Sequence, residues 1–458
     1  MLLGSSSLFT RRLVKLTALS LLLAAPGLAQ IGTRFPSEKK IVTDPVTGIP
    51  LTFLTSKPNG DSKIYQTHHQ WTADGKWVVF RSNRVKGQAM AVNEETGDIV
   101  QVTEKGYSGM LCLADHTMNL YFLRRQDAEA PKAVTGAEPA TPGNLPPSPA
   151  QIIRVDLEKL FADSAAGTVG DASLYEHVCG TIPLSWGAGG DMALDCTEEY
   201  AYFRVGKEEA AKRLSPASKP AENFGPRNMG AGPTGIGRMN LKTGEVDFVV
   251  SVPFQIGHIQ TNPWVPGEIV FCWETGGKAP QRMWTVRGDG SGLSPLYPEA
   301  DYEWVTHEAI ITKDEVAIAI MGHRYVGQTD GWGTTGSREK PTGLGIVNLR
   351  TREMRIAGQT KTGSGLWHVH GSPDGRWAVG DDFDRNLYLI DRTTDEMILL
   401  SAGHKTTAAD HVHPTFSADS TRIQFQSAML SEDDRTMNIC VVPVPEAWLK
   451  RTYTKKIQ

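Results

Sequence analysis

Short polar turns alternate with runs of apolar and aromatic residues along this chain, and one version of that alternation recurs along nearly its whole length. The clearest copy is Ala73-Asp74-Gly75-Lys76-Trp77-Val78-Val79-Phe80, a tight turn followed by residues that favour a pleated, half-buried surface. Equivalent pieces run from Asp115 to Phe122, Thr197 to Phe203, Gly267 to Phe271, Asp314 to Ile320, Asp374 to Gly380 and Ser420 to Phe425. A second strand ending in a turn follows each one: Ala89 to Asp98, Ile152 to Glu158, Ile236 to Glu245, Met283 to Gly290, Leu344 to Glu353, Asn386 to Asp395 and Met437 to Val442. Asn93 to Gly97 and Asn240 to Gly244 are side-chain-capped reversals between strands.

Shared among seven units, the roughly 430 residues that follow the N-terminal segment allow about 61 each, close to a four-stranded blade with long loops. The pattern therefore predicts an all-β fold, a seven-bladed β-propeller of four-stranded antiparallel blades, built as a single domain over residues 30–458. A β-solenoid would need a much shorter period, and a leucine-rich array would show Leu at fixed spacing. No amphipathic helix longer than the stretch from Glu208 to Arg213 is expected. Residues 127–151, rich in Pro and Ala, and 207–235, rich in Pro, Gly and Ser, read as surface excursions from the blades.

Residues 1–29 differ in kind. Arg11, Arg12 and Lys15 precede the apolar run Leu16 to Ala25, and small residues follow at Pro26-Gly27-Leu28-Ala29, the pattern of an export signal. Thr10-Arg11-Arg12 is a partial match to the twin-arginine route. The expected location is periplasmic or secreted. Beyond this segment no apolar run reaches the ~18 residues of a spanning helix, so no integral membrane segment is expected after signal removal. Lys and Arg total 47 against 51 Asp and Glu, a net charge of −4, which provides no positive field to gather nucleic acid. Of the five cysteines, Cys112, Cys272 and Cys440 fall in apolar runs and read as core, while Cys179 and Cys196 are the candidate pair for a disulfide.

Candidate chemistry enters with the histidines. Most of the 12 lie a few residues before the turn that opens the first recurrent strand: His68 and His69, His258, His307, His368 and His370, and His411 and His413. Innermost strands of a propeller line one central channel, so these positions are expected to aim imidazoles from five blades at one place. In His411-Val412-His413 the two imidazoles face one side, because residues i and i+2 of a strand point the same way. Neutral imidazoles are costly to bury together unless a metal or an anion uses them, and a nitrogen-rich, thiolate-free set suits Mn, Zn, Fe or Ni.

At these motifs the sequence resembles the oligogalacturonate lyases, seven-bladed propeller enzymes that split oligouronides by β-elimination. The resemblance is carried by Gly257-His258, Phe271-Cys272-Trp273-Glu274, Gln281-Arg282-Met283-Trp284 with Asp289-Gly290-Ser291, Thr306-His307-Glu308, His368 through Asp374-Gly375 to Asp381, and His411 to Phe416. These fragments follow the family's order from about residue 235 onward, and the first third matches only as generic blades. The resemblance implies that His307, His411 and His413 bind a divalent ion, manganese in the family, and that His258 is the base. It also implies an arginine near the base, for which Arg227 is the candidate and Arg238 the alternative. His368 and Arg238 are assigned to an anionic oligouronide substrate. A further family ligand, a glutamine, corresponds here to Ala408, so water, Asp410 or another blade's histidine such as His370 would have to complete the shell.

The chemistry fits these residue types. A uronide carries its C5 hydrogen beside a carboxylate, and a divalent cation with an arginine would hold the charge that develops when the proton leaves. Free imidazole, with a pKa near about 6.5, is the expected proton acceptor, and a nearby cation would keep His258 unprotonated. Hydrolysis would call for two carboxylates flanking the bond, and the channel-facing positions show imidazole instead. Trp332 and Trp367 are candidates for stacking on sugar rings, while the remaining tryptophans in strand runs read as core. The competing readings are a non-catalytic periplasmic propeller like the TolB family, whose Ser-x-Asp-Gly pattern is shared, and a lyase for another uronate glycan.

Overall fold

The computed structural model of the chain describes residues 30–126, 149–223, 225, 229–301, 303–322, 342–359 and 365–453. Strands in these residues form seven antiparallel sheets arranged as the blades of a propeller; the first strands of the second to seventh sheets pack in succession, and that of the first sheet packs on the last sheet. Those first strands are Asp61–Lys63, Ser108–Leu113, Met192–Leu194, Ile256–Thr261, Glu303–Thr312, Leu366–Gly371 and Thr415–Phe416, which we number as blades 1 to 7. Each recurrent turn-plus-strand of the sequence forms the second strand of a blade, such as Trp77–Ser82 and Trp377–Asp382, and each later repeat forms the third.

Five blades have four strands, and blades 1 and 7 have five. The difference comes from the beginning of the chain. Blade 7 takes Arg422–Ser427 and Asn438–Pro443 from the C-terminal end, then adds Pro50–Phe53 and Lys40–Thr43, with Thr52 paired to Val441 and Phe53 to Cys440. Arg34–Phe35 pairs outside Ile99–Gln101 of blade 1. One N-terminal segment thus ties the last blade to the first, and the outer edge of the third strand that blade 7 would otherwise expose is paired.

Apolar faces of neighbouring blades share the core. Trp77, Val79 and Phe122 pack between blades 1 and 2, and Trp377, Phe416, Phe425 and Phe53 pack between blades 6 and 7. Turns joining first to second strands are stitched by one recurring bond, in which a Ser or Thr hydroxyl donates to an Asp carboxylate. Thr72 donates to Asp74 at 2.6 Å, Ser372 to Asp374 at 2.6 Å and Ser417 to Asp419 at 2.5 Å. The same carboxylates accept backbone N–H groups of Lys76, Arg376 and Thr421, which fixes the reversal.

Two expectations are corrected. Leu157–Ala166 is a ten-residue helix, longer than the five-residue helix Lys207–Ala211 found in the stretch where the longest helix was expected. Asp156 caps it by accepting from Lys159 N–H, Gly167 ends it at φ 69°, and Leu157, Leu160, Phe161 and Ser164 form its buried face. Phe161 stacks on Trp77 with ring centroids 4.1 Å apart. Secondly, Cys179 and Cys196 are free thiols, as are the other three cysteines. The expected excursion over 127–151 lies mostly outside the described residues, as does the export segment. Among the described residues no helix is long and apolar enough to cross a membrane.

Candidate metal centre at one mouth of the channel

Backbone irregularity marks one end of the first strands. The pairing register shifts between Gly257 and Gln260 in blade 4, Thr306 and Glu308 in blade 5, and Leu366 and His368 in blade 6. His258, His307 and His413 have φ values of 51°, 32° and 49°, in the left-handed region. Such a conformation costs a non-glycine residue of the order of 1–3 kcal/mol and persists where the surroundings over-determine it. A bulge re-aims a side chain, and here it turns imidazoles toward their neighbours. Blade 2 has glycine at its own register shift: Gly109 has φ 72°, and a Cβ there would stand 1.8 Å from the Gly190 carbonyl oxygen.

His368 lies at the centre of the resulting cluster. Its ring centroid is 3.7 Å from that of His413, 4.2 Å from His307 and 5.2 Å from His411, and His258 stacks 6.1 Å from His307. Tyr65, just beyond the first strand of blade 1, bridges the group at 4.9 Å from His258 and 5.3 Å from His413. Trp367 packs against His307 at 4.5 Å.

Carboxylates and one amide orient these rings. Asp381, fully buried at the end of the second strand of blade 6, accepts from His368 Nδ1 at 3.1 Å and from His411 Nδ1 at 3.0 Å. The same carboxylate also accepts the backbone N–H of His368. Gln66 Oε1 accepts from His413 Nδ1 at 3.0 Å. His258 is flanked on both sides, with Nδ1 2.9 Å from Glu308 and Nε2 3.3 Å from Glu274. Arg282, itself buried, reaches Glu274 at 3.4 Å and Glu308 at 3.9 Å.

Charge states diverge within this small volume. Burial, reinforced by the neighbouring imidazole of His413, pushes His368 down to about 3, and burial with its basic neighbours holds His307 well below the usual imidazole value. Both are neutral donors of lone pairs. For His258 burial pulls the same way, but Tyr65, Cys272 and the Glu308 carboxylate outweigh it and hold the imidazole well above its ordinary value. Burial would raise Glu274, yet Arg282 and His258 bring it down to about 2. Burial likewise opposes ionisation of Asp381, and the His368 and His411 contacts overcome it, keeping the carboxylate charged.

Of the residues singled out in the sequence, His258, His307, His368, His411 and His413 meet here. Others do not. His68, His69 and His370 lie at the far end of the channel, where a cavity of about 900 Å³ is lined by the turns that join first to second strands. There His68 donates Nε2–H to the Met192 carbonyl, and His69 pairs with Asp115 at 2.6 Å. Arg238 sits on the third strand of blade 3, stacked over Tyr200 and bonded to the Gly288 carbonyl, away from the imidazoles. Arg227 and Trp332 lie outside the described residues. The arginine that stands beside His258 is Arg282.

Two chemical expectations also change. Carboxylates are present at the imidazole mouth: Glu308 follows His307 in the first strand of blade 5, while Asp381 and Glu274 come from the ends of second strands. They pair with histidines, Asp381 with His368 and His411, and Glu274 and Glu308 with His258. Because two of these carboxylates flank it, the His258 imidazole is held above its ordinary value, where a neighbouring cation was expected to lower it. Glu274 and Arg282 sit inside the motifs that carried the family resemblance, and that was the signal available for them.

The donor set suits a divalent ion. His368, Asp381 and His411 offer ligand atoms within 4.8 Å of one another, as do His258, Cys272 and Glu274. The second group is already neutralised by Arg282 and by the charge on His258. In the first, Nδ1 of each imidazole is committed to a carboxylate, the arrangement that leaves Nε2 as a ligand. His307 Nδ1 is buried without a hydrogen-bond partner among the described residues, which is costly unless something else engages it, and His413 Nε2 faces the Asp410 carboxylate at 3.1 Å. Imidazole nitrogen with carboxylate oxygen fits Mn, Zn, Fe or Ni.

A seven-bladed propeller with a histidine-lined channel mouth is the class that fold and site define. Two solved structures share the architecture over nearly the whole chain. An oligogalacturonate lyase in complex with manganese is 18% identical, with 92% of this chain and 100% of that one covered and a TM-score of 0.67. The oligogalacturonate lyase of Vibrio parahaemolyticus is also 18% identical with the same coverage, at a TM-score of 0.66. No family model and no curated protein matches the sequence.

Proposed function

We propose that this chain is a metal-assisted carbon–oxygen lyase that cleaves oligogalacturonides, or related oligouronides, by β-elimination. The observation that carries the reading is the meeting of five imidazoles from four blades, with the Nδ1 atoms of two of them held by Asp381. The fold likeness to a lyase crystallised with manganese supports it.

In the reaction the C5 proton passes to a base, the C4–O4 bond breaks, the released oxygen takes a proton, and a 4,5-unsaturated uronate remains. A divalent ion held by His307, His411 and His413 would neutralise the uronate carboxylate and the charge that builds on it. His258 lies beside this centre as an imidazolium held by Glu308 and Glu274. It can accept the C5 proton only after losing its own, so turnover is expected to need alkaline pH. Arg282 helps keep Glu274 ionised and stands 3.9 Å from Glu308. Tyr65 and Trp367 supply aromatic faces at the edge of the cluster. The signal-like pattern of residues 1–29 supports a reaction in the periplasm or outside the cell.

A panel of uronides, with oligogalacturonides first and glucuronate-type and ulvan-type glycans beside them, tests the proposal through ultraviolet absorbance of the new double bond. Absorbance should rise on at least one substrate and stop when a chelator is added. No rise on any uronide with added manganese or zinc would leave a TolB-like binding propeller as the reading.

A further inference from the structure

We infer that His368 takes the place of the ligand lost at Ala408, so that the metal is gripped by an all-histidine set from blades 5, 6 and 7, and that Asp381 is the positioning residue for it. The inference rests on the metal-dependent reading above and concerns which residues make the site.

Position 408 cannot serve. Ala408 is buried and carries no donor atom. The alternatives raised by the sequence are otherwise engaged. His370 is toward the far mouth, where its Nδ1 accepts from the Phe416 backbone at 3.4 Å. Asp410 accepts from its neighbour's backbone, His411 N–H, at 2.8 Å and from the Gln426 amide at 3.2 Å, and its carboxylate lies 3.1 Å from His413 Nε2, so it backs an imidazole already counted in the set. Of the two histidines in blade 6, it is His368 that stands among His307, His411 and His413, within 5.2 Å of each ring.

Its orientation is fixed from behind. Asp381 accepts from both the backbone N–H and Nδ1 of His368, so neither ring nor carboxylate can swing independently. With the proton on Nδ1 the lone pair is on Nε2, since the hydrogen bonds His368 makes to Asp381 use only its backbone N–H and Nδ1. A histidine serving only the core would be expected to satisfy both nitrogens, as His68 does through Thr67 and Met192. Asp381 treats His411 in the same way, so one carboxylate presets two donors.

The test is metal binding by the full chain, stripped with chelator and titrated with Mn2+ and with Zn2+ by calorimetry, with bound metal counted by elemental analysis. Wild type should bind one ion. Asp381→Asn should weaken binding roughly 10- to 100-fold, the usual effect of losing an orienting partner, and His368→Ala should weaken it by at least as much. Adding Ala408→Gln to His368→Ala should restore part of the affinity, a rescue that a purely structural role for His368 would not give. Melting curves in chelator identify any variant that fails to fold, and His368→Gln then stands in for His368→Ala. If wild type binds metal and His368→Ala binds it as tightly, the role of His368 is overturned while the metal reading stands. If wild type binds no metal, both fall together.

Discussion

The two mouths of the channel are built from the same strands by opposite rules. At the far mouth three turns follow one local rule: Thr72 with Asp74, Ser372 with Asp374 and Ser417 with Asp419 repeat one hydroxyl–carboxylate bond in three blades. At the imidazole mouth the register slips, His258, His307 and His413 adopt left-handed backbone, and the buried Nδ1 of His307 is left without a hydrogen-bond partner among the described residues. Consistency across levels is what makes a sequence fold, and a cluster of local violations marks where something other than folding is being served. The far mouth holds the ring together, and the near mouth spends part of that stability on arranging donors.

That contrast can be broken from either side. The largest effect is expected from His411→Ala or from chelation, which should lower elimination by at least about 10²–10³-fold, as losing a charge-stabilising group does, with little change in the metal-free melting temperature. Trp377→Ala should do the reverse. It removes a fully buried indole between blades 6 and 7, costing about 3–5 kcal/mol in denaturant titrations, while turnover per folded molecule is kept.

Next in size is the pH response. A base must be unprotonated to act, and His258 is held well above about 6.5, so the rate should climb with pH through a limb on the alkaline side of that value. Glu308→Gln removes a negative neighbour and should move the limb down by about 1 unit or more, measured as kcat/KM against pH. A limb that stays in place would separate His258 from proton transfer. The smallest effect belongs to Asp374→Ala, which loses the bonds from Ser372 and Arg376 N–H and should cost about 1 kcal/mol without altering the pH profile.

The repeat was readable because a turn and strand of fixed character recur, and the convergence of His258, His307, His368, His411 and His413 followed from their common offset within it. What escaped was non-local. The pairing of Phe53 with Cys440 leaves no trace in periodicity, because it joins opposite ends of the chain. Arg238 is close to His258 in sequence but lies on a third strand, whereas Arg282, farther along, folds back beside it. Asp381 and Glu274 reach the site from the ends of second strands, and their effect on charge could not be seen from imidazole positions alone. The helix Leu157–Ala166 is a different case: its i, i+3, i+4 spacing and Asp156 cap were present and were absorbed into a strand reading.

The fastening of blade 7 by Pro50–Phe53 and Lys40–Thr43 governs the order of assembly. Contacts between residues almost four hundred positions apart form only when both ends of the polypeptide are available, so the toroid stays an open arc until translation has all but finished. Until that seam closes, the histidines of blades 4 to 7 have no complete circle to point into, and competence to capture a cation arrives with the last stitch.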